Sequence, residues 1–163
     1  MITRRLLIAG GVGGAAAAAW SSMWRTETLT AADFEVTHTD AEWRKLLTPD
    51  QYEVLRHEKT ERPFSSPLDH ETRRGTFACA GCGLLLFSST TKFDSRTGWP
   101  SFWAPLEKAI GTTKDVSLGM VRTAVHCRRC GGHLGHVFDD GPRPTGLRYC
   151  MNGLAMTFKP ATT

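Results

Sequence analysis

Cys79-Ala80-Gly81-Cys82-Gly83 and Cys127-Arg128-Arg129-Cys130-Gly131-Gly132 are two turns of one design, set well apart in the chain. Two residues between cysteines let a tight turn bring both thiolates to one ion, and the following glycine tolerates the positive φ that aims backbone N–H groups at sulfur. Brought together, Cys79, Cys82, Cys127 and Cys130 make a closed tetrahedral site in which zinc is structural rather than catalytic. The alternative is a pair of disulfides, which an exported protein could form. Doubled spacing with doubled glycine favours zinc. Arg128 and Arg129 lie inside the second knuckle, either offsetting the charge of four thiolates or simply solvated.

Outward from the knuckles the chain reads as short β-like runs. They are Gly75 to Cys79, Gly83 to Ser88, Val116 to His126, Leu134 to Phe138, Gly146 to Asn152 and Leu154 to Phe158, separated by Gly, Pro and Asp turns. Two helices precede them. Thr39-Asp40-Ala41-Glu42 is a capping box ahead of Trp43, Leu46 and Leu47; Thr48-Pro49-Asp50-Gln51 is a second, with proline at the first helical position, ahead of Tyr52 and Leu55. The expectation is a mainly β, antiparallel domain with a small helical preface. At 163 residues, with 40% hydrophobic and 22% charged content, the chain suits one compact domain.

The N-terminus is read apart from that domain. Thr3-Arg4-Arg5-Leu6-Leu7 opens a weakly apolar run rich in Gly and Ala, which resembles a twin-arginine export signal over residues 1–19. The alternative is a retained anchor, since Leu6 to Trp24 approaches a bilayer span in length but is poor in strongly apolar side chains. Residues 20–36 read as a linker and 37–163 as the folded domain. The expected location is therefore exported, in the periplasm, or membrane-anchored if the signal stays. The net charge of +4 includes Arg4 and Arg5; without them 18 basic residues face 16 acidic ones, which is no nucleic-acid footprint.

The fifth cysteine, Cys150, lies in Leu147-Arg148-Tyr149-Cys150-Met151-Asn152. If that run is extended, Arg148, Cys150 and Asn152 share a face, and a nearby guanidinium favours the nucleophilic thiolate. A lone cysteine in a strand is also commonly a small buried hydrophobe. His133-Leu134-Gly135-His136-Val137-Phe138 begins just after the second knuckle, so the metal site would anchor two imidazoles suited to acid–base chemistry near neutral pH. Gly98-Trp99-Pro100-Ser101-Phe102-Trp103 presents aromatics on a Gly/Pro-shaped loop.

From about Trp43 to Phe158 the chain resembles the type B methionine sulfoxide reductases. The matching stretches are Thr48-Pro49-Asp50-Gln51-Tyr52, Thr91-Lys92-Phe93-Asp94-Ser95 through Gly98-Trp99-Pro100-Ser101-Phe102, His133 through Pro142, and Pro144 through Asn152. The resemblance implies two antiparallel sheets flanked by short helices. It also implies that Cys150 attacks the sulfur of methionine-R-sulfoxide to form a sulfenic acid, while His133, His136 and Asn152 supply or order a proton for the departing oxygen. Trp99 would receive the S-methyl group, and Arg148 would favour the thiolate. Many family members carry a resolving cysteine where Thr97 stands here. With four cysteines on zinc, an external thiol, such as a thioredoxin-like protein, is expected to recycle Cys150. Gly153 and Leu154 also depart from the small polar residues often found after the asparagine.

Two other classes compete. A zinc-ribbon module would present the knuckles to nucleic acid or protein, and the near-neutral charge and Cys150 with its His and Trp neighbours count against it. A thiol–disulfide oxidoreductase would use a Cys-x-x-Cys pair, which tight zinc retention excludes. The substrate expected is oxidised methionine in proteins or peptides, handled by a monomer.

Overall fold

The computed structural model describes residues 34–162. The signal read over residues 1–19 and most of the linker read over 20–36 lie outside the described residues. Among the described residues no helix is long and apolar enough to cross a membrane.

Helices α1 (Asp40–Leu46) and α2 (Pro49–His57) begin at the two capping boxes. Thr39 and Thr48 each accept from the amide of the third helical residue at 3.3 Å, and Glu42 and Gln51 return the bond to the cap amides at 2.8 and 3.1 Å. The Tyr52 hydroxyl donates to Asp40, tying α2 to α1. The inner side of the pair buries Trp43, Leu47, Tyr52, Val54 and Leu55.

Strands β1 (Gly75–Cys79), β2 (Leu85–Ser88) and β9 (Met156–Pro160) form one sheet in the order β2-β1-β9. The other sheet is built from β3 (Lys92–Phe93), β4 (Ser101–Phe102), β5 (Ile110–Asp115), β6 (Arg122–Cys127), β7 (His133–Phe138) and β8 (Arg148–Met151), in the order β3-β4-β8-β7-β6-β5. Every pairing is antiparallel. The mainly β, two-sheet expectation holds. Phe77 and Phe87 of the smaller sheet meet Phe102 of the larger, with ring centroids 4.9 and 4.4 Å away. All three rings are fully buried, worth about 1.5–3 kcal/mol each in transfer terms.

The strand boundaries differ from the sequence reading in instructive ways. The run expected from Val116 to His126 starts only at Arg122, because Ser117–Gly119 form a 3-10 turn with Gly119 at φ 69°. β5 was not anticipated: Ile-Gly-Thr-Thr-Lys-Asp is a largely exposed edge strand with no apolar alternation to betray it. β3 and β4 are two residues each, too short for any period. The final run divides into a 3-10 turn, Gly153–Ala155, followed by β9.

Candidate active site

Both knuckles form as expected. Gly83 and Gly131 adopt φ of 72° and 69°, and their amides donate to the Cys79 and Cys127 carbonyls at 2.8 and 2.9 Å. Each knuckle belongs to a different sheet, since Cys79 ends β1 and Cys127 ends β6. The four sulfurs lie within 4.8 Å of one another, with Cys79 to Cys130 at 3.7 Å and Cys82 to Cys127 at 3.5 Å. A tetrahedral ion with bonds of about 2.3 Å requires edges of about 3.8 Å, so the donor set fits a four-thiolate metal site. Hydrogen bonding to neighbouring thiols, Cys127 first, and burial push Cys79 up; a central cation is what would let all four ionise.

The arginines divide. Arg128 is exposed, while Arg129 faces Glu35 at 3.7 Å. The arginine that engages the knuckle backbone is Arg56, whose Nη1 donates to the Cys130 carbonyl at 3.1 Å from above the Trp43 ring. Val36 donates to the Arg129 carbonyl at 2.9 Å and Phe34 packs edge-on against His126, so residues 34–36 dock on the second knuckle.

Cys150 lies outside the knuckles, on β8, with β4 on one side and β7 on the other. Its register partners are Ser101 and His136, which antiparallel pairing places on the same face as its thiol. Gly135 makes this close approach possible, because a Cβ there would collide with the Cys150 carbonyl. The thiol opens into a cleft of about 130 Å³, also lined by Trp99, Arg122, Phe138 and Asn152. Arg148 follows the face as expected: it stacks 4.4 Å over Phe138 and grips Asp140 with two bonds of 2.8 Å. Burial pushes the Cys150 thiol up; hydrogen bonding from Thr97, the charge of Arg148 and contact with Ser101 pull it down without overcoming that. Arg148 thus acts in the expected direction, yet the resting residue is a thiol at neutral pH.

Asn152 does not continue the strand, as β8 ends at Met151. Its Nδ2 donates to the Leu134 carbonyl at 3.1 Å and its Oδ1 accepts from the Glu61 amide at 3.0 Å. Asn152 therefore borders the cleft as a clamped side chain. Glu61, which the sequence reading did not single out, supports the opposite wall too: its carbonyl accepts from the Trp99 indole N–H at 3.2 Å. Its carboxylate accepts from the Gly153 and Leu154 amides at 2.5 and 2.9 Å.

The two histidines take different positions. His136 lines the cleft, and its Nε2 lies 2.7 Å from Asp115. Asp115 also accepts from Arg122 at 2.7 Å, and hydrogen bonds from Ser117 first, then His136 and Arg122, hold its carboxyl well below the usual range. Asp115 and Arg122 were missed in the sequence; they pair across the β5–β6 hairpin, and reading β5 as a strand would have found them. His133 sits behind, edge-on to His136 at 5.4 Å and 4% exposed, and does not line the cleft.

Burial pushes His133 down from an ordinary 6.5 to about 4. The fold keeps the ring neutral while the unfolded chain takes up a proton, so stability falls as pH drops from about 6.5 to about 4, and this contribution levels off below. His133→Gln should flatten that part of the stability curve, read as denaturation midpoints at successive pH. A slope unchanged by the substitution would place the acid sensitivity elsewhere.

Fold and knuckles define a class: a mainly β protein with four thiols placed to hold a metal ion and one further thiol, outside that cluster, beside a cleft. The chain belongs to the SelR domain family, whose model matches residues 47–160. It is 54% identical over 129 residues to the peptide methionine sulfoxide reductase MsrB of Bradyrhizobium diazoefficiens, covering 78% of this chain and 93% of that protein. The protein of the same name from Agrobacterium fabrum is 53% identical over 127 residues, 77% of this chain and 94% of its own. That of Methanosarcina barkeri is 52% identical over 125 residues, 76% and 88%.

Proposed function

We propose that the protein is a peptide methionine sulfoxide reductase that acts on the R epimer, with oxidised methionine in proteins as its preferred substrate and Cys150 as its nucleophile. The observation that carries this reading is the position of Cys150, a thiol outside the metal knuckles, opposite His136 and open to a cleft walled by Trp99. Family membership and curated relatives named for this activity support it.

In the proposed reaction the Cys150 sulfur attacks the sulfoxide sulfur, and the S–O oxygen gains a proton as it departs. The hydroxide so released adds to the Cys150 sulfur, the sulfur–sulfur bond made by the attack breaks, and methionine leaves with Cys150 as a sulfenic acid. His136 reaches into the cleft to move that proton, with His133 behind it and Asn152 at the border. Trp99 offers an apolar face to the S-methyl group, which separates R from S by where methyl and oxygen fall. Arg148 stabilises the thiolate as it forms. One external thiol then condenses with the sulfenic acid, releasing water and leaving a mixed disulfide; a second thiol frees Cys150 and departs as an oxidised disulfide. Thr97 offers no sulfur for an internal disulfide.

Zinc is the proposed occupant of Cys79, Cys82, Cys127 and Cys130, where it supplies folding free energy and no chemistry. Export through segment 1–19, followed by a linker and a monomeric catalytic domain over 37–163, completes the proposal. It is supported by Arg4-Arg5 and the Gly/Ala run that follows. A thioredoxin-like reductant is the proposed thiol donor.

The test is reduction of separated, peptide-bound R and S sulfoxides by residues 20–163 with dithiothreitol as electron donor. Turnover of the R epimer alone is expected. A folded, metal-loaded sample that turns over neither epimer would overturn the reading.

A further inference from the structure

Cys150 ends a line of hydroxyls. Thr97 Oγ1 lies 3.8 Å from the Cys150 sulfur, Ser95 Oγ lies 2.8 Å from Thr97 Oγ1, Ser101 Oγ lies 2.7 Å from Ser95 Oγ, and the Ser101 hydroxyl is 3.0 Å from the Trp99 carbonyl. Ser101 is wholly buried, and Ser95 and Thr97 are half-buried.

Each hydroxyl has one proton to give, which fixes the direction of the line. The Trp99 carbonyl can only accept, so Ser101 donates to it. Ser95 must then donate to Ser101 and Thr97 to Ser95, leaving the Thr97 oxygen to accept from the Cys150 S–H. The resting thiol is thus the donor at the head of a fully satisfied line. A thiolate reverses the need: sulfur becomes a pure acceptor, and the hydroxyls can meet it only by turning over. No proton travels along the line, because the carbonyl at its end cannot keep one. The thiol proton leaves towards the cleft.

We infer that Thr97 is a working part of the site, a rotating hydroxyl that accepts from the Cys150 thiol at rest and donates to the thiolate once it forms. This rests on the reading of Cys150 as nucleophile. A bond to a charged acceptor is stronger than one between neutral groups, so the rotation favours ionisation on balance. The direction in which Thr97 draws the buried thiol agrees. Thr97 therefore contributes more than the lack of a second sulfur.

The test reads the thiol itself. Alkylation of Cys150 by iodoacetamide is followed across pH in the metal-loaded protein, with the adduct assigned to Cys150 by mass spectrometry. Thr97→Val keeps the shape and removes the hydroxyl, and should lower the alkylation rate about tenfold at a given pH, the effect of moving the titration up by about one unit. Thr97→Ser should restore the wild-type profile, and Ser95→Ala should fall between. A Thr97→Val profile that overlays the wild type would overturn the inference, as would equal shifts in Val and Ser variants. Alkylation does not require sulfoxide reduction, so its outcome stands apart from the epimer assay that tests the proposed function.

Discussion

Cys150→Ser should lower sulfoxide reduction by on the order of 10⁴ or more, while fold and metal content stay unchanged. The substitution is a near-isosteric change at a half-buried position. A hydroxyl can take the thiol's place at the head of the Thr97 line, so the surroundings lose little. The chemistry loses nearly everything, because serine has neither sulfur's nucleophilicity nor an accessible anion near neutral pH. No neighbouring group can substitute, since the other four cysteines sit together in the knuckles. Steady-state rates on a peptide R-sulfoxide, beside circular dichroism and metal content, check this. A variant that keeps its rate would remove Cys150 as nucleophile and with it the reading of the cleft.

The second large effect concerns the metal. Cys79 closes a strand of the smaller sheet and Cys127 a strand of the larger, so an ion held between them would staple the two sheets at one end of the core. Apparent binding free energies at structural zinc sites run to about 10–16 kcal/mol, against about 5–15 kcal/mol for the whole stability of a typical domain. Stripping the ion should therefore unfold the protein rather than soften it. Four buried or half-buried thiols would also be left facing one another with burial opposing their ionisation. The expected outcome is collapse of the near-ultraviolet circular dichroism on chelation, with recovery when Zn²⁺ is returned. Retention of that signal in protein shown to be metal-free would end the structural role.

Much of this was legible in the chain, and what was not has physical causes. The knuckles announce themselves because their geometry depends on local spacing and two glycines, and α1 and α2 because a capping box is written within four residues. The face shared by Arg148 and Cys150 follows from strand periodicity alone. Asp115 and Arg122 escaped because their meeting depends on β5, an edge strand whose exposed side chains carry no apolar rhythm. Asn152 stays on the thiol's side as the period implied: it lies one residue beyond β8, but its backbone is still extended and its side chain borders the same cleft, just ahead of the turn at Gly153. His133 and His136 look alike in sequence, yet a bulge between Val125 and His126 sets His133 opposite His126, buried behind the cleft. The charge state of Cys150 was also beyond the sequence, where a neighbouring guanidinium is visible and the burial opposing it is not.

Glu61 reaches both sides of the cleft through three different parts of itself. Its carbonyl steadies the Trp99 indole, its amide steadies Asn152, and its carboxylate pins the turn that follows. The width of the cleft is thus gauged by one residue of the crossing between α2 and β1, and not by the sheet that carries Cys150. The segment that leads from α2 to β1 is in that sense the fixed jaw of a caliper. Whatever displaces it resets the width of the opening while leaving Cys150 where it was.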